Sequence, residues 1–231
     1  MEKLTIKSFI DNGYTFKLYT YDDKSINYQT SGLEIEDANQ VIDYKDFFIY
    51  DGEGDCPKNS VGGFSDIFRF ALLEKFGGWY VDMDVTCLKN FSELSDICVL
   101  RPSCYDKIVA NIIKSDHYNF NRSVFNKYKE DVKRDNNCWV KPLDILTDYA
   151  KEYDLMKYVA SPELFGNDNM DVITSYLTNN VYDIPTLPKY AIHWCNTACT
   201  TGNWDLRLKM NWNEPRKTSL FYCLLKKHKL I

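Results

Sequence analysis

The stretch FSDIFRFALLEKFGGWYVDMDV, residues 64–85, decides the reading of this chain. Ser65 is a natural N-cap, and Asp66 behind it suits the positive end of a helix. Ile67, Phe68, Phe70, Ala71, Leu72 and Leu73 are apolar almost all round, so the helix they predict is a buried one. Gly77-Gly78 stops it. Trp79-Tyr80-Val81 then reads as a short buried strand that ends on Asp82-Met83-Asp84, and Val85 to Leu88 continues extended. Two carboxylates one residue apart point to the same side of an extended chain, and in a turn they still converge. With apolar residues on both flanks they stand at the edge of a core, where buried charge needs a partner. Hard divalent cations such as Mg²⁺ or Mn²⁺ meet that need with carboxylate oxygens. Asp66 and Arg69, at i and i+3, share one helix face, the one polar face available to a ligand.

Outward from this stretch the chain alternates helices and strands, which argues an α/β fold. Leu4 to Ile10 reads as a helix closed by Asp11-Asn12-Gly13, and Tyr14 to Tyr21 as a strand closed by Asp22-Asp23. A short helix is expected around Asp37 to Val41, and a glycine-rich loop over residues 51–63. Residues 105–135 are polar and helical in tendency. Leu143 to Tyr158 reads as a helix entered after Pro142 and broken by Ser161-Pro162. Asp171 to Leu177 is a further short helix, Tyr182 to Pro188 a loop, Tyr190 to Trp194 a short strand and Leu220 to Leu225 a last helix. No repeat or linker divides the 231 residues, so one domain is expected.

Composition narrows the function. Lys plus Arg number 28 against 33 Asp plus Glu, a net charge of −5, which argues against nucleic acid as a partner. No stretch approaches the ~20 apolar residues of a membrane span, and the start carries no apolar signal core, so a cytoplasmic protein is expected. The eight cysteines, Cys56, Cys87, Cys98, Cys104, Cys138, Cys195, Cys199 and Cys223, lack paired zinc spacing. They read as reduced thiols, mostly small buried hydrophobes. The Lys-rich end KKHK, 226–229, reads as a solvated helix end, with peripheral contact to an anionic membrane as the alternative.

The order Ser65, Asp66, Arg69, Gly77, Gly78, Tyr80, Asp82, Asp84 resembles the DXD-containing sugar-transfer region of retaining glycosyltransferases. These include capsular polysaccharide glycosyltransferases and the yeast initiating α-1,6-mannosyltransferase. Residues 6–23 and the segment AIHWCN, 191–196, are similar to flanking parts of those enzymes. The resemblance implies a GT-A-like fold, with a mixed, mostly parallel sheet flanked by helices. It implies a nucleotide-diphospho-sugar donor on residues 1–90, and a glycan or lipid-linked acceptor on residues 91–231 with a C-terminal closing segment. Asp84, Asp82 and His193 would hold Mn²⁺ or Mg²⁺, Asp66 and Arg69 the donor sugar, and Tyr80 would pack near ribose or sugar. Asp82, Asp84 and Arg69 are the expected catalytic residues. Trp194 reads as core and Asn196 as a weaker site candidate. Ser161-Pro162-Glu163 and Gly166-Asn167-Asp168 are loops expected beside the acceptor. Relatives open with a strand ending in a Trp-containing turn that helps hold the nucleotide; this sequence runs from Met1 directly into the helix that follows.

Two other readings stay open. One is a non-catalytic or donor-hydrolysing binding module of the same fold. The other is a Mg²⁺-dependent phosphatase, since VDMDVT, 81–86, resembles the first motif of haloacid-dehalogenase-type phosphatases, and GNDNMD, 166–171, is faintly similar to their later acidic motif.

Overall fold

The computed structural model describes residues 1–50, 58–134, 138–166, 168–184, 186–196 and 212–231. Cys56, Cys199, Asn167 and most of the glycine-rich loop lie outside them. Helix α1 (Glu2–Asp11) leads into strand β1 (Phe16–Thr20), which pairs in parallel with β2 (Leu33–Asp37). Helix α2 (Gly62–Phe76) precedes β3 (Trp79–Val81) and β4 (Val85–Cys87). Then come β5 (Cys98–Pro102), β6 (Ile108–Ser115), α3 (Tyr118–Arg134), α4 (Lys141–Glu152), α5 (Pro162–Phe165), α6 (Met170–Thr178), β7 (Ala191–His193) and α7 (Leu220–Lys227).

The class is α/β as expected, but the described strands do not form a mostly parallel sheet. Only β1–β2 is parallel; β3–β6–β5 and β4–β7 are antiparallel. The turn at 103–107, with Asp106 at φ 56° and Ser103 N–H bonded to the Lys107 carbonyl at 2.8 Å, joins β5 to β6 as a hairpin. So short a connection permits antiparallel pairing only.

Three further expectations change. Residues 108–115 are strand, not helix. Both faces of β5–β6 are covered. Leu100, Ile108 and Ala110 pack with Phe70, Phe120 and Tyr128 of α2 and α3, while Val99 and Ile112 pack with Phe9, Phe91 and Phe165. A doubly covered strand shows no period of two, which hid it. The short helix expected around Asp37 to Val41 is only a 3₁₀ turn at 38–40, and Asp37 itself ends strand β2. Helix α2 begins at Gly62, so Ser65 lies inside it and Val61 occupies the cap position without a side-chain bond. Gly62-Gly63 lets the helix start early: a Cβ on Gly63 would stand 2.4 Å from the Tyr50 hydroxyl.

Helix α4 ends at Glu152, short of the expected Tyr158, with a separate 3₁₀ turn at 156–158, and Pro162, expected in a loop, opens α5. The helices at 170–178 and 220–227 and the strand at 191–193 follow their sequence signals. Trp194 is fully buried and donates its indole N–H to Thr86 Oγ1 at 2.8 Å, a core residue. All six described cysteines are free, but only Cys87 and Cys98 are the buried hydrophobes expected; Cys138, Cys195 and Cys223 are part-exposed and Cys104 is exposed. In the KKHK tail the lysines are exposed, but His228 is buried, its Nδ1 2.7 Å from Asp11 Oδ2 on α1. Among the described residues no helix is long and apolar enough to cross a membrane.

Gly77 connects α2 to β3 at φ 63°, ψ −155°, a region open only to glycine, and a Cβ there would meet Asp116 Oδ1 at 2.4 Å. Gly77→Ala is expected to cost at least about 1–3 kcal/mol in urea unfolding; an unchanged midpoint and slope would contradict this account of the turn.

Candidate functional site

Helix α2, the end of β3 and the end of β7 meet around a cavity of ≈ 560 Å³. Its lining includes Asp66, Arg69, Asp82, Asp84, Asn111, Asp168 and His193. Helix α2 supplies the first two. Arg69 is buried and bridges two carboxylates, Nη1 to Asp66 Oδ1 at 3.0 Å and Nη2 to Asp82 Oδ1 at 2.9 Å. Burial opposes its charge, but Asp82, Tyr80 and Asp66 hold it firmly protonated. One guanidinium serves two acids, and burial pushes the Asp66 carboxyl up to about 6 against Arg69, with Asp82 adding to the rise. Tyr80 lies beneath Arg69, its ring centroid 4.9 Å from the guanidinium carbon. It is not among the residues lining this cavity. Burial, then Asp82, raises its phenol pKa.

Asp84 closes the other end of the DMD turn. Its Oδ2 accepts the Asn196 N–H at 2.8 Å, and its Oδ1 is 3.3 Å from His193 Nε2. Register explains the meeting: β4 and β7 pair with Val85 opposite His193, so the end of β7 lies beside the DMD turn. His193 Nδ1 is 2.7 Å from Asp168 Oδ1. Neither Asp168 nor Asp84 has a hydrogen to give, so in the metal-free protein both ring nitrogens carry one, and a cation would take the place of the Nε2 hydrogen. Asp168 is in turn held by both guanidinium nitrogens of buried Arg101, each at 2.7 Å, and by Asn111 Nδ2 at 3.2 Å. Burial raises the acid pKa values and lowers that of the imidazole, yet the charges win. Cys195, Asp84 and Asp168 lift His193 well above 6.5, His193 and Arg101 hold Asp168 far below 3.8, and His193 with the Asn196 N–H holds Asp84 below 3.8.

Asp82, Asp84 and His193 thus bring one donor atom each within 4.8 Å of one another. Two carboxylates and an imidazole suit Mn²⁺ or Mg²⁺, the imidazole favouring Mn²⁺. The Nδ1–H to carboxylate bond is the outer support that metal-bound histidines usually carry. Asp168, His193 and Cys195 meet the same distance limit, but Asp168 is already taken by Arg101.

Arg101, Asn111 and Asp168 were not singled out as ligand-side residues from the sequence. Asp168 appeared as an acceptor-side loop residue and within GNDNMD, 166–171, of the phosphatase alternative. The available signal was a polar residue interrupting an apolar run, Arg101 in CVLRP and Asn111 in IVANIIKS.

Residues 25–100 match the family model described as glycosyltransferase sugar-binding region containing DXD motif. That span holds Asp66, Arg69, Tyr80, Asp82 and Asp84; Arg101, Asn111, Asp168 and His193 lie beyond it. No curated protein and no solved structure matches the chain.

The cluster sets a pH signature for the metal-free protein. The raised His193 pKa stabilises the fold fully below 6.5 and less as pH rises through the folded value; the lowered Asp168 pKa stabilises above 3.8 and less as pH falls. In chelator, urea unfolding against pH should show His193→Gln flattening the fall above pH 6.5 and Asp168→Asn the fall below 3.8. Parallel profiles for wild type and both variants would contradict the pairing.

Proposed function

We propose that the protein is a glycosyltransferase of GT-A-like fold that moves a hexose from a nucleotide-diphospho-sugar to a glycan or lipid-linked acceptor, with retention of configuration. The observation that carries this reading is the convergence of the motif pairs Asp66/Arg69 and Asp82/Asp84 with His193 on one cavity. The match of residues 25–100 supports the same conclusion.

In this reading the chain forms one domain. Residues 1–90 supply the donor side, and Asp66 and Arg69 bind the sugar hydroxyls. Asp84, Asp82 and His193 hold Mn²⁺ or Mg²⁺. The cation offsets the negative charge gathering on the leaving diphosphate. Tyr105, Trp139, Leu143 and Met170 of residues 91–231 form the less polar part of the cavity lining and receive the acceptor. Among the described lining residues each carboxylate is already paired: Asp66 and Asp82 with Arg69, Asp84 with His193, Asp168 with Arg101. A carboxylate so engaged is a poor nucleophile, which favours front-face transfer, where the leaving phosphate takes the acceptor's proton. Ionised Asp66 is the better acceptor for sugar hydroxyls, so turnover should rise with pH through about 6.

A thermal-shift screen of nucleotide sugars with and without Mn²⁺ identifies the donor; a ligand at 100 times its Kd adds ~2.7 kcal/mol. With that donor, Asp84→Ala should lower Mn²⁺-dependent hydrolysis and transfer by more than about a hundredfold, beyond what loss of an outer support costs. Near-normal turnover would refute the site. By calorimetry, Asp66→Ala should keep binding of the free nucleoside diphosphate while weakening that of the sugar nucleotide. Equal loss of both would reject the division between sugar and nucleotide.

A further inference from the structure

Strand β4, which follows directly on the DMD turn, has a strand neighbour along one edge only among the described residues. Its backbone alternates as in any antiparallel ladder. Toward β7 point the Asp84 carbonyl, which accepts the Trp194 N–H at 2.9 Å, and the Leu88 N–H, which bonds the Tyr190 carbonyl at 2.7 Å. Met83 and Cys87 therefore turn their groups to the opposite edge, where, among the described residues, helix α1 runs in place of a strand. Buried polar backbone needs partners there.

Helix α1 and its C-cap residue Asn12 provide them from side chains at i, i+3 and i+7, along one face. The Thr5 hydroxyl donates to the Met83 carbonyl at 2.8 Å. Ser8 Oγ accepts the Cys87 N–H at 2.9 Å and donates its own hydrogen to the Thr5 carbonyl at 2.9 Å. Asn12 Nδ2 donates to the Cys87 carbonyl at 3.2 Å. Thr5 and Ser8 are fully buried, and Ile6 and Phe9 pack against Val85 and Cys87 beside them. A helix face thus completes the strand edge. Asp11, one position before Asn12, is tied to buried His228 beyond α7, which fixes the helix from its far end.

We infer that Thr5 is a positioning residue for the Asp82–Asp84 pair. The Met83 carbonyl lies in the planar peptide unit that also contains the Asp84 nitrogen. A hydrogen bond to that carbonyl holds the plane, and with it the direction in which the Asp84 carboxylate leaves the chain toward His193. Thr5 touches neither donor nor cation; it acts through the peptide between the two aspartates. This inference rests on the proposed function for its metal readout, but its geometric content stands on the turn alone.

The test uses the full chain as Thr5→Val, which keeps the shape and removes the hydroxyl, Thr5→Ser, which restores it, and Ser8→Ala, which removes the neighbouring edge bond away from the aspartates. Mn²⁺ binding is followed by calorimetry, crystal structures give the Asp84–His193 contact, and melts of the metal-free proteins report folding. Thr5→Val is expected to weaken Mn²⁺ binding about ten- to a hundredfold, the range for loss of a group that orients a ligand. It should also turn Asp84 away from its 3.3 Å approach to His193. Thr5→Ser should restore both. Ser8→Ala should lower the melting temperature and keep Mn²⁺ affinity within a few fold. A Thr5→Val structure with Asp84 unmoved, or an equal loss of Mn²⁺ affinity in Ser8→Ala, would overturn the inference. Wild type that binds no Mn²⁺ would refute the metal reading, and the crystal structures would still decide the placement of Asp84.

Discussion

Everything in the candidate site turns on one imidazole held between two carboxylates. His193 stands 2.7 Å from Asp168 and 3.3 Å from Asp84, and Arg101 closes the far side of Asp168 with two bonds. The chain Arg101–Asp168–His193–Asp84 alternates in charge, so each member offsets the desolvation of the next. Removing any one leaves the buried cluster with one uncompensated charge. That constraint ties β5, the segment after α5, β7 and the DMD turn into one arrangement, though they are far apart in sequence.

A second alternating group lies across the cavity, where Arg69 serves Asp66 and Asp82 together. Burial pushes the Asp66 carboxyl up to about 6, and Arg69, shared with Asp82, offsets only part of that rise, whereas His193 with Arg101 holds Asp168 low and His193 with the Asn196 N–H holds Asp84 low. The cavity therefore has an end rich in oxygen acceptors, suited to sugar hydroxyls, and an end with a turned-out imidazole nitrogen and two carboxylates, suited to a hard cation. The acceptor-rich end comes from one helix and one strand, the other from strands and loops contributed by both halves of the chain.

This division explains what could be read from the residues alone. Asp66, Arg69, Asp82 and Asp84 lie within 19 positions of each other, so local periodicity was enough to bring them to one side of α2 and β3. His193 was found through its strand and the similarity of AIHWCN, but Asp168 and Arg101 meet it only through tertiary contact. No spacing rule links positions 101, 168 and 193. The strand at 108–115 was hidden for a related reason: with both faces buried, IVANIIKS lacks the alternation that marks a half-exposed strand. Of the antiparallel pairs found in place of the parallel sheet expected from the resemblance, β5–β6 has a local cause: a five-residue turn cannot carry a crossover. The early start of α2 depended on Gly63 lying under Tyr50, a contact invisible to a capping rule.

The central claim is that Asp82, Asp84 and His193 together form a cation site. Crystals of the protein soaked in Mn²⁺ and measured at the manganese absorption edge test it most directly. The account predicts one anomalous peak bounded by the two aspartates and His193 Nε2, absent in Asp84→Ala. No peak there, or a peak on Cys195 and Asp168 instead, would contradict it.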